Sequence, residues 1–413
     1  MADCRVCQAP LSPFISFGQM PIANGFLTPA EYADEYFFEL AVCFCEQCQM
    51  VQLLEQPDRQ RMFHDHYAFY SSTSAQMAEH FRDYAHFVQR TFLTGDDPLV
   101  VELGSNDGIM LQHFAKAGVR HLGVEPSRNV ARVAQARGVE TVSEFFDREL
   151  AERILAEHGP ADAILAANTM CHIADIRAVA AGVARLLKEH GVLIFEEPYL
   201  GEVIEKASYD QFYDEHVFMF SVSSIQRLFA GCGLEVIDVW PQNVHGGSMR
   251  YILARRGVLA GSARVPQLLE YEREQGLDRL DTYNHWRARV ERSRVALHEL
   301  LVDRHRRGKR VVGYGATSKS TTVINYCGIT PELLEFISDT TPIKQGKYSP
   351  GAHIPVRAYE NFTVNYPDYA LLFAWNHAGE IMAKERAFER AGGQWISFVP
   401  RVEVLARDLV QQS

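Results

Sequence analysis

Three side chains that could share one proton lie close together between positions 209 and 220. Tyr213, Glu215 and His216 fall within a run of four residues, and imidazole has the ordinary pKa that best suits a general base at neutral pH. One helical turn would bring Tyr213 and His216 to the same face, where Glu215 could orient or tune the imidazole. A structural histidine beside an acid is the alternative. The density of the run favours proton abstraction, with His216 or Tyr213 as the base.

Two other segments carry groups that suit the same reaction. His172 follows a strand-like run and could stabilise an enolate or hold a substrate. Residues 245–250 pair two glycines, whose N–H groups are open to a ligand, with a histidine, a serine and an arginine. His245, Ser248 and Arg250 are therefore candidate substrate ligands.

A loop that could hold a cofactor follows the apolar run Leu99–Leu103. Gly104 allows the sharp turn and a close approach of the ligand, and Glu102 is placed to order the loop or to reach a methionine ammonium. Asn106 and Asp107 complete the loop, where a carboxylate suits a cationic sulfonium better than a pyrophosphate. The loop lacks the dinucleotide pattern G-x-G-x-x-G, and no Walker lysine follows it. The pattern predicts S-adenosylmethionine as the cofactor.

The ends of the next strand-like runs add three cofactor candidates. Glu125 ends the second run and could accept both ribose hydroxyls, while Phe145 follows the third and is expected beside the adenine. Asn168 follows the fourth, where cofactor and substrate should meet. The alternatives are an exposed loop acid at Glu125 and a core position at Phe145.

Two CxxC pairs predict a metal site near the amino terminus. Cys4, Cys7, Cys45 and Cys48 supply the four thiolates of a closed, tetrahedral structural zinc site. Cys43 is a possible substitute ligand outside the spacing. Buried or redox-active cysteines are the less favoured alternative.

Alternating strand-like and helical patterns organise the rest of the chain. An α/β fold is expected, with a Rossmann-like sheet of the class I methyltransferase type in the middle. The change of pattern along the chain predicts a zinc-binding domain at 1–68, a cofactor domain at 69–256 and a second Rossmann-like domain at 257–413.

A loop that could bind phosphate lies near the start of the last region of the chain. The turn Gly313–Lys319 follows a strand and precedes a helix, whose N–H groups could hold a diphosphate. NAD binding is a weaker option, because Ser318 replaces the third glycine of the dinucleotide pattern. A domain that only covers the active site is the other alternative. The candidate contacts for a nucleotide sugar here are Tyr314, Lys319, Lys344, Lys347, Trp375 and Asn376.

The composition narrows the possible partners. A net charge of −11 disfavours a nucleic-acid binder, including an RNA methyltransferase. No apolar run approaches the roughly 20 residues that span a bilayer, and the first residues do not resemble a signal peptide. A cytoplasmic protein without a membrane partner is expected. With no obvious dimerisation segment, a monomer is favoured over an oligomer.

Taken together, the motifs closely resemble the C-methyltransferases of deoxysugar biosynthesis, over nearly the whole chain. The motifs that carry the resemblance are the two CxxC pairs with residues 21–24 between them, residues 67–74, the loop at 102–108, Asn168 with His172, residues 213–216, residues 245–248, residues 313–316 with Lys319, and residues 339–355.

The resemblance implies methylation of a dTDP- or similar NDP-linked 4-keto-6-deoxyhexose, typically at C-3, with the sugar nucleotide held between the middle and last domains. It implies an active-site set of His172, Tyr213, Glu215 and His216, with His216 as the base. It also implies that Tyr70 and Ser72 lie near the cofactor or the substrate.

Three readings compete with a C-methyltransferase. An O-methyltransferase acting on a small hydroxylated substrate would need a base but no enolate. A non-catalytic nucleotide-binding module is disfavoured by the intact run from Tyr213 to His216. An oxidoreductase is disfavoured by the first loop.

Overall fold

The computed structural model describes residues 2–58 and 75–405, which form three sheets with helices packed on them. The strands are β1 (Ser12–Pro21), β2 (Phe37–Phe44), β3 (Val51–Leu53), β4 (Leu99–Leu103), β5 (Arg120–Val124), β6 (Thr141–Val142), β7 (Ala161–Ala167), β8 (Leu187–Pro198), β9 (Phe218–Met219), β10 (Leu234–Gln242), β11 (Ser248–Arg255), β12 (Val311–Tyr314), β13 (Ile337–Asp339), β14 (Val356–Ala358), β15 (Tyr369–Leu372), β16 (Gln394–Ser397) and β17 (Glu403–Val404).

The helices connect and cover these sheets. They are α1 (Ala75–Phe92), α2 (Leu111–Lys116), α3 (Arg128–Ala136), α4 (Arg148–His158), α5 (Ile176–Leu186), α6 (Leu200–Lys206), α7 (Val222–Ala230), α8 (Arg264–Glu274), α9 (Leu280–Arg306), α10 (Ser318–Tyr326), α11 (Glu360–Val364), α12 (Ala378–Lys384) and α13 (Arg386–Arg390). Short 3-10 turns cover Pro29–Asp34, Met170–His172, Tyr209–Gln211, Pro342–Lys344 and Trp375–His377.

The first sheet is antiparallel, with the order β1-β2-β3-β9. Its last strand comes from the middle of the chain, and Val51 pairs with Met219. Aromatic side chains of this sheet pack on α9: the ring centroids of Phe14 and Tyr283 lie 5.0 Å apart. Because this apolar face is shared, the amino-terminal sheet and the carboxy-terminal part of the chain form one hydrophobic core.

The central sheet has the order β10-β11-β8-β7-β4-β5-β6, and its last five members run parallel. All five residues of β4 are buried, as expected for a strand covered by helices on both faces. The strand order reverses at β4, which lies between β5 and β7. Ligands of such sheets bind where the order reverses, beyond the carboxyl ends of the strands.

The last sheet is also mainly parallel and also has a point where the strand order reverses. Its order is β14-β13-β12-β15-β16-β17, and β17 alone among these strands runs antiparallel. Its order reverses at β12, which the loop at Gly315 and helix α10 follow. The α/β class expected from the sequence is therefore confirmed. Within the described ranges, no helix is long and apolar enough to cross a membrane.

Candidate active site and zinc cluster

The run from Tyr213 to His216 forms a tight turn rather than a helix. The N–H of His216 donates to the carbonyl of Tyr213 at 3.0 Å, which still brings both side chains together. The Tyr213 hydroxyl lies 2.8 Å from Nε2 of His216. On the far side of the ring, Nδ1 lies 2.7 Å from the carbonyl oxygen of Gln211.

These two contacts fix the tautomer of His216. A carbonyl oxygen can only accept, so Nδ1 carries the proton and Nε2 offers a lone pair to the Tyr213 hydroxyl. Burial, with the neighbouring His172 and Lys319, lowers the pKa of His216 well below its ordinary value. The imidazole is therefore neutral and able to accept a proton at Nε2.

His172 faces this pair from the turn after β7. Its ring is stacked on that of His216, with centroids 5.3 Å apart, and burial lowers its pKa to about 4. The turn is held from below by Glu197 at the end of β8, whose Oε1 accepts from the N–H groups of Thr169 at 2.9 Å and Cys171 at 3.2 Å. Burial raises the pKa of Glu197 to about 7.

Glu215 is held by the amino-terminal part of the chain. Its Oε1 accepts from the side-chain amide of Asn24 at 2.6 Å, and Oδ1 of the adjacent Asp214 accepts from the N–H of Ala23 at 2.8 Å. Both carboxyl groups are almost fully buried. Burial and the neighbouring Glu215 raise the pKa of Asp214 to about 8.

The loop after β4 forms a cradle at the point where the strand order reverses. Gly104 adopts φ +67, and a Cβ there would overlap the side chain of Thr169. Asn106 is also left-handed, with φ +47. Its N–H donates to Glu125 at 3.0 Å, and the N–H of Ser127 donates to the same carboxylate at 2.7 Å.

Buried polar atoms in this cradle fit a polar ligand. Oε2 of Glu102 and Oγ of Ser105 have no hydrogen-bond partner among the described residues, and burial raises the pKa of Glu102 well above its ordinary value. A missing bond to a buried polar atom is costly, so a ligand with donors would stabilise the loop. Asp107 is instead ion-paired with Arg137 at 3.2 Å.

The remaining cofactor candidates lie around the same edge of the sheet. Asn168 follows β7 with φ +51, and Phe145 follows β6, half-buried. Tyr70 and Ser72 lie outside the described residues.

The junction between the central and last sheets brings together several substrate candidates. Nζ of Lys319 on α10 lies 3.4 Å from the carbonyl oxygen of His245. The indole N–H of Trp375 donates to Asp210 at 2.7 Å, and a Cβ at Gly246 would overlap the Trp375 ring. Burial raises the pKa of Asp210 to about 6, and its Oδ1 has no partner among the described residues.

Other substrate candidates have different partners. The Tyr314 hydroxyl donates to Glu385 at 2.8 Å inside the last domain. Arg250 is buried, donates to Glu196 at 2.5 Å and lies over the ring of Tyr84.

The remaining substrate candidates either have hydrogen-bond partners within the protein or are half-buried. The Ser248 hydroxyl donates to the carbonyl of Val244 at 3.1 Å. Nζ of Lys344 donates to the carbonyl of Ala316 at 2.8 Å. Lys347 and Asn376 are half-buried.

Three residues beside the turn at 213–216 lie in segments that the sequence singles out, but the sequence assigns them no role. Asn24, Glu197 and Asp210 touch it or its neighbours, as described above. The signal for Asn24 is its place in the segment at 21–24 that carries part of the resemblance. Asp210 belongs to the dense run of acids and tyrosines, whereas Glu197 has no local signal beyond its position at a strand end.

The four predicted zinc ligands form one cluster. The Sγ atoms of Cys4 and Cys48 lie 3.5 Å apart, and those of Cys7 and Cys45 lie 3.4 Å apart. All four lie within 4.8 Å of one another. Zinc–sulfur bonds of about 2.3 Å in a tetrahedron require sulfurs about 3.8 Å apart, so the cluster fits a zinc ion. Cys43 is not part of it.

Comparisons with known proteins agree with this arrangement. A C-methyltransferase C-terminal domain model matches residues 243–400, a methyltransferase domain model matches residues 77–239, and a zinc binding domain model matches residues 4–63. The C-methyltransferase NovU of Streptomyces niveus is 37% identical over an alignment of 411 residues that covers 98% of this chain and 97% of NovU.

Two solved methyltransferase structures are also similar to part of the chain. Magnesium protoporphyrin IX methyltransferase (ChlM) of Synechocystis PCC 6803 with bound SAH has a TM-score of 0.34 at 16% identity, covering 43% of this chain and 83% of ChlM. The CcbJ methyltransferase of Streptomyces caelestis has a TM-score of 0.33 at 13% identity, covering 42% of this chain and 89% of CcbJ.

The match to NovU over almost the full length of both chains establishes the family. The expected fold class, S-adenosylmethionine as cofactor and the structural zinc are confirmed with it, through the methyltransferase and zinc binding models and the four-cysteine cluster. The chain belongs to the C-methyltransferase family, and is an S-adenosylmethionine-dependent methyltransferase with an amino-terminal zinc-binding domain.

Proposed function

We propose that this methyltransferase adds a methyl group to C-3 of a dTDP-linked 4-keto-deoxysugar through an enolate. The observation that carries the proposal is the hydrogen-bonded pair of His216 and Tyr213, with Nε2 of His216 kept as the acceptor. An aliphatic carbon becomes a nucleophile only after it loses a proton, and a carbonyl beside it makes that loss feasible. A neutral base in a buried site suits this step.

The proton is taken by the pair as a unit. The sugar C–H gives its proton either to Nε2 of His216 or to the Tyr213 oxygen, whose own proton then moves to Nε2. In both cases the positive charge arises on an imidazole whose Nδ1–H already donates to the carbonyl of Gln211. His172, stacked on His216, is proposed to stabilise the enolate oxygen or to hold the sugar. Glu215 is proposed to orient this group of side chains.

When bound, S-adenosylmethionine supplies an electrophilic methyl group on a sulfonium. The residues proposed to hold it are Tyr70, Ser72, Glu102, Gly104, Asn106, Asp107, Glu125, Phe145 and Asn168. The orphaned carboxylate oxygen of Glu102 supports this role, because it could accept from the methionine ammonium. The cradle ends beside the turn that carries His172, so cofactor and acceptor can be held next to each other.

The sugar nucleotide is proposed to lie between the middle and last domains, with functional boundaries at 1–68, 69–256 and 257–413. The position of Lys319 supports binding of a diphosphate or of the developing oxyanion, because this half-buried side chain lies at the junction, with Nζ 3.4 Å from the carbonyl oxygen of His245. Trp375 and His245 line the same junction. The other proposed contacts are Ser248, Arg250, Tyr314, Lys344, Lys347 and Asn376, several of which would have to exchange a present partner for the ligand.

A labelled-solvent assay tests the proposal. The protein is incubated in D₂O with S-adenosylmethionine and a dTDP-4-keto-2,6-dideoxyhexose, and the sugar is analysed by mass spectrometry and NMR. We expect a product one methyl heavier, with a new C–CH₃ next to the carbonyl. Without cofactor, we expect deuterium at the same carbon. An O-methyl product with no deuterium uptake would overturn the proposal in favour of an O-methyltransferase.

A further inference from the structure

A segment of the amino-terminal domain enters the active site from outside the central sheet. Strand β1 pairs with β2 as far as Pro21, opposite Phe37. Directly afterwards, the backbone of Ala23 is fixed at both ends: its N–H donates to Asp214 at 2.8 Å, and its carbonyl accepts from Thr321 of α10 at 2.9 Å. The segment therefore lies between the turn at 213–216 and the last domain and bonds to both.

The next residue, Asn24, reaches Glu215 itself. Its Nδ2 donates to Oε1 of Glu215 at 2.6 Å. An amide NH₂ can only donate, so this bond favours the ionised carboxylate and fixes the direction of one of its oxygens. Glu215 is 3% exposed, so water is poorly placed to substitute for the amide.

We propose that Asn24 is a positioning residue of the methyl-transfer site, through which the zinc-binding domain orients Glu215 and so completes the active site. This inference rests on the proposed role of the run from Tyr213 to His216. It assigns to the amino-terminal domain a direct part in catalysis in addition to its structural part.

Ionisable groups from three parts of the chain lie around Glu215. They include Asp214 beside it, Cys171 from the turn after β7, and Lys344 from the last domain. Burial raises the pKa of both Asp214 and Cys171, and Nζ of Lys344 donates to the carbonyl of Ala316 at 2.8 Å. The amide of Asn24 is a neutral donor to Glu215 that comes from the amino-terminal domain.

The test compares Asn24→Ala, Asn24→Asp and the control Ser16→Ala. Ser16 lies on β1 of the same domain and is exposed. Its hydroxyl donates to Glu39 at 3.1 Å and accepts from the N–H of Gly18 at 3.1 Å, both within that domain. For Asn24→Ala we expect kcat for the keto-sugar to fall about 10- to 100-fold, the loss typical of a hydrogen bond to a charged group. The KM for S-adenosylmethionine and the zinc content should stay as in the wild type.

The pH profile separates positioning from simple support of the fold. In Asn24→Asp, a protonated carboxyl can replace the amide donor, whereas two adjacent carboxylates repel each other. The activity of Asn24→Asp should therefore recover as the pH is lowered, and that of Asn24→Ala should not. Equal losses in both variants at every pH, together with a lower Tm, would reduce Asn24 to a structural tether and overturn the inference.

A substrate-free measurement keeps the two proposals distinguishable. The ¹³C carboxyl signal of Glu215, identified by its loss in Glu215→Gln, should titrate at higher pH in Asn24→Ala than in the wild type, because a donor to the charged form is lost. No change would overturn the role of Asn24, even if the keto-sugar is methylated. Conversely, a shifted titration in a protein that methylates no keto-sugar would leave the positioning intact and remove the proposed function.

Discussion

At the scale of single residues, the proposed chemistry depends on one imidazole, that of His216, whose two nitrogens have different partners. The carbonyl of Gln211 and the hydroxyl of Tyr213 together hold His216 in one tautomer. Sequence alone indicates the two side chains, because they lie three residues apart. It does not indicate the Gln211 carbonyl, since a backbone acceptor has no residue type to recognise.

Removing the base should stop proton abstraction while leaving the cofactor bound. For His216→Asn and Tyr213→Phe we expect kcat to fall 10²- to 10⁴-fold, the usual contribution of general acid–base catalysis. Isothermal titration with S-adenosylmethionine should give an unchanged Kd. The matched control is His190→Asn at an exposed histidine of the β8 region, which should be fully active. Normal activity in both variants would exclude the pair as the base.

The pH profile should reflect the buried state of the imidazole. The pKa of His216 is lowered by burial, so the neutral form persists as the pH falls through the ordinary histidine value of about 6.5. We therefore expect the titration of His216 to cause no fall in kcat/KM down to about pH 6. Glu197, with a pKa of about 7, and Asp210, with a pKa of about 6, titrate in the same range. A fall near pH 6.5 that persists in both Glu197→Gln and Asp210→Asn would contradict a neutral, low-pKa base.

At the scale of elements, the loop after β4, which is proposed to hold the cofactor, depends on a backbone conformation at Gly104 that only glycine adopts without strain. Strand β4, which positions this loop, is the strand that the sequence predicts, because four apolar residues and Glu102 lead into a glycine. Elsewhere the boundaries differ. The polar helical pattern over 266–307 predicts one helical stretch, whereas the structure has two helices, α8 and α9, since Gly276 turns the chain with φ +70. The apolar residues at 334–337 predict a strand, but the strand lies at Ile337–Asp339, because pairing with β12 and β14 decides which residues form it.

An alanine in the cofactor loop should disturb it in two ways. Gly104→Ala brings both the strain of a positive φ, roughly 1–3 kcal/mol, and an overlap with Thr169. Gly118→Ala is the matched control, because Gly118 has φ +70 and open space around its Cβ position. We expect both variants to lose stability in urea denaturation. Only Gly104→Ala should also lose at least tenfold in affinity for S-adenosylmethionine, and equal affinities would argue against a cofactor cradle at this loop.

At the scale of the whole molecule, three parts of the chain meet at one turn. Asp214 and Glu215 are held by the backbone of Ala23 and the amide of Asn24, while α10 holds the carbonyl of Phe212 through Thr322. Residues about 190 and 110 positions apart make these contacts. Local pattern and periodicity carry no information on such pairs, so the sequence indicates the residues of the turn at 213–216 but not the distant residues that hold them.

Loss of zinc should lower the stability and the activity of the protein, not only change the cysteine cluster. We expect about one zinc per chain in the wild type, and none in Cys45→Ser, since a structural site needs all four thiolates. Because metal binding is coupled to folding, Cys45→Ser should lower Tm and methyl transfer together. Cys232→Ser, at an isolated cysteine outside the cluster, is the control. Full zinc content and activity in Cys45→Ser, by mass spectrometry of the metal and by assay, would contradict the assignment.

The pairing of β3 with β9 has a consequence for how the protein is made. The amino-terminal sheet takes its last strand from Phe218–Met219, and its aromatic face packs on Tyr283 and Trp286 of α9. During synthesis on the ribosome, β3 has no partner strand on one side until β9, in the middle region of the chain, has emerged. The first-made part of the chain is thus among the last to finish folding. Ribosome-bound chains that stop before Phe218 should therefore be more easily cleaved by protease between residues 12 and 53 than chains that extend past α9.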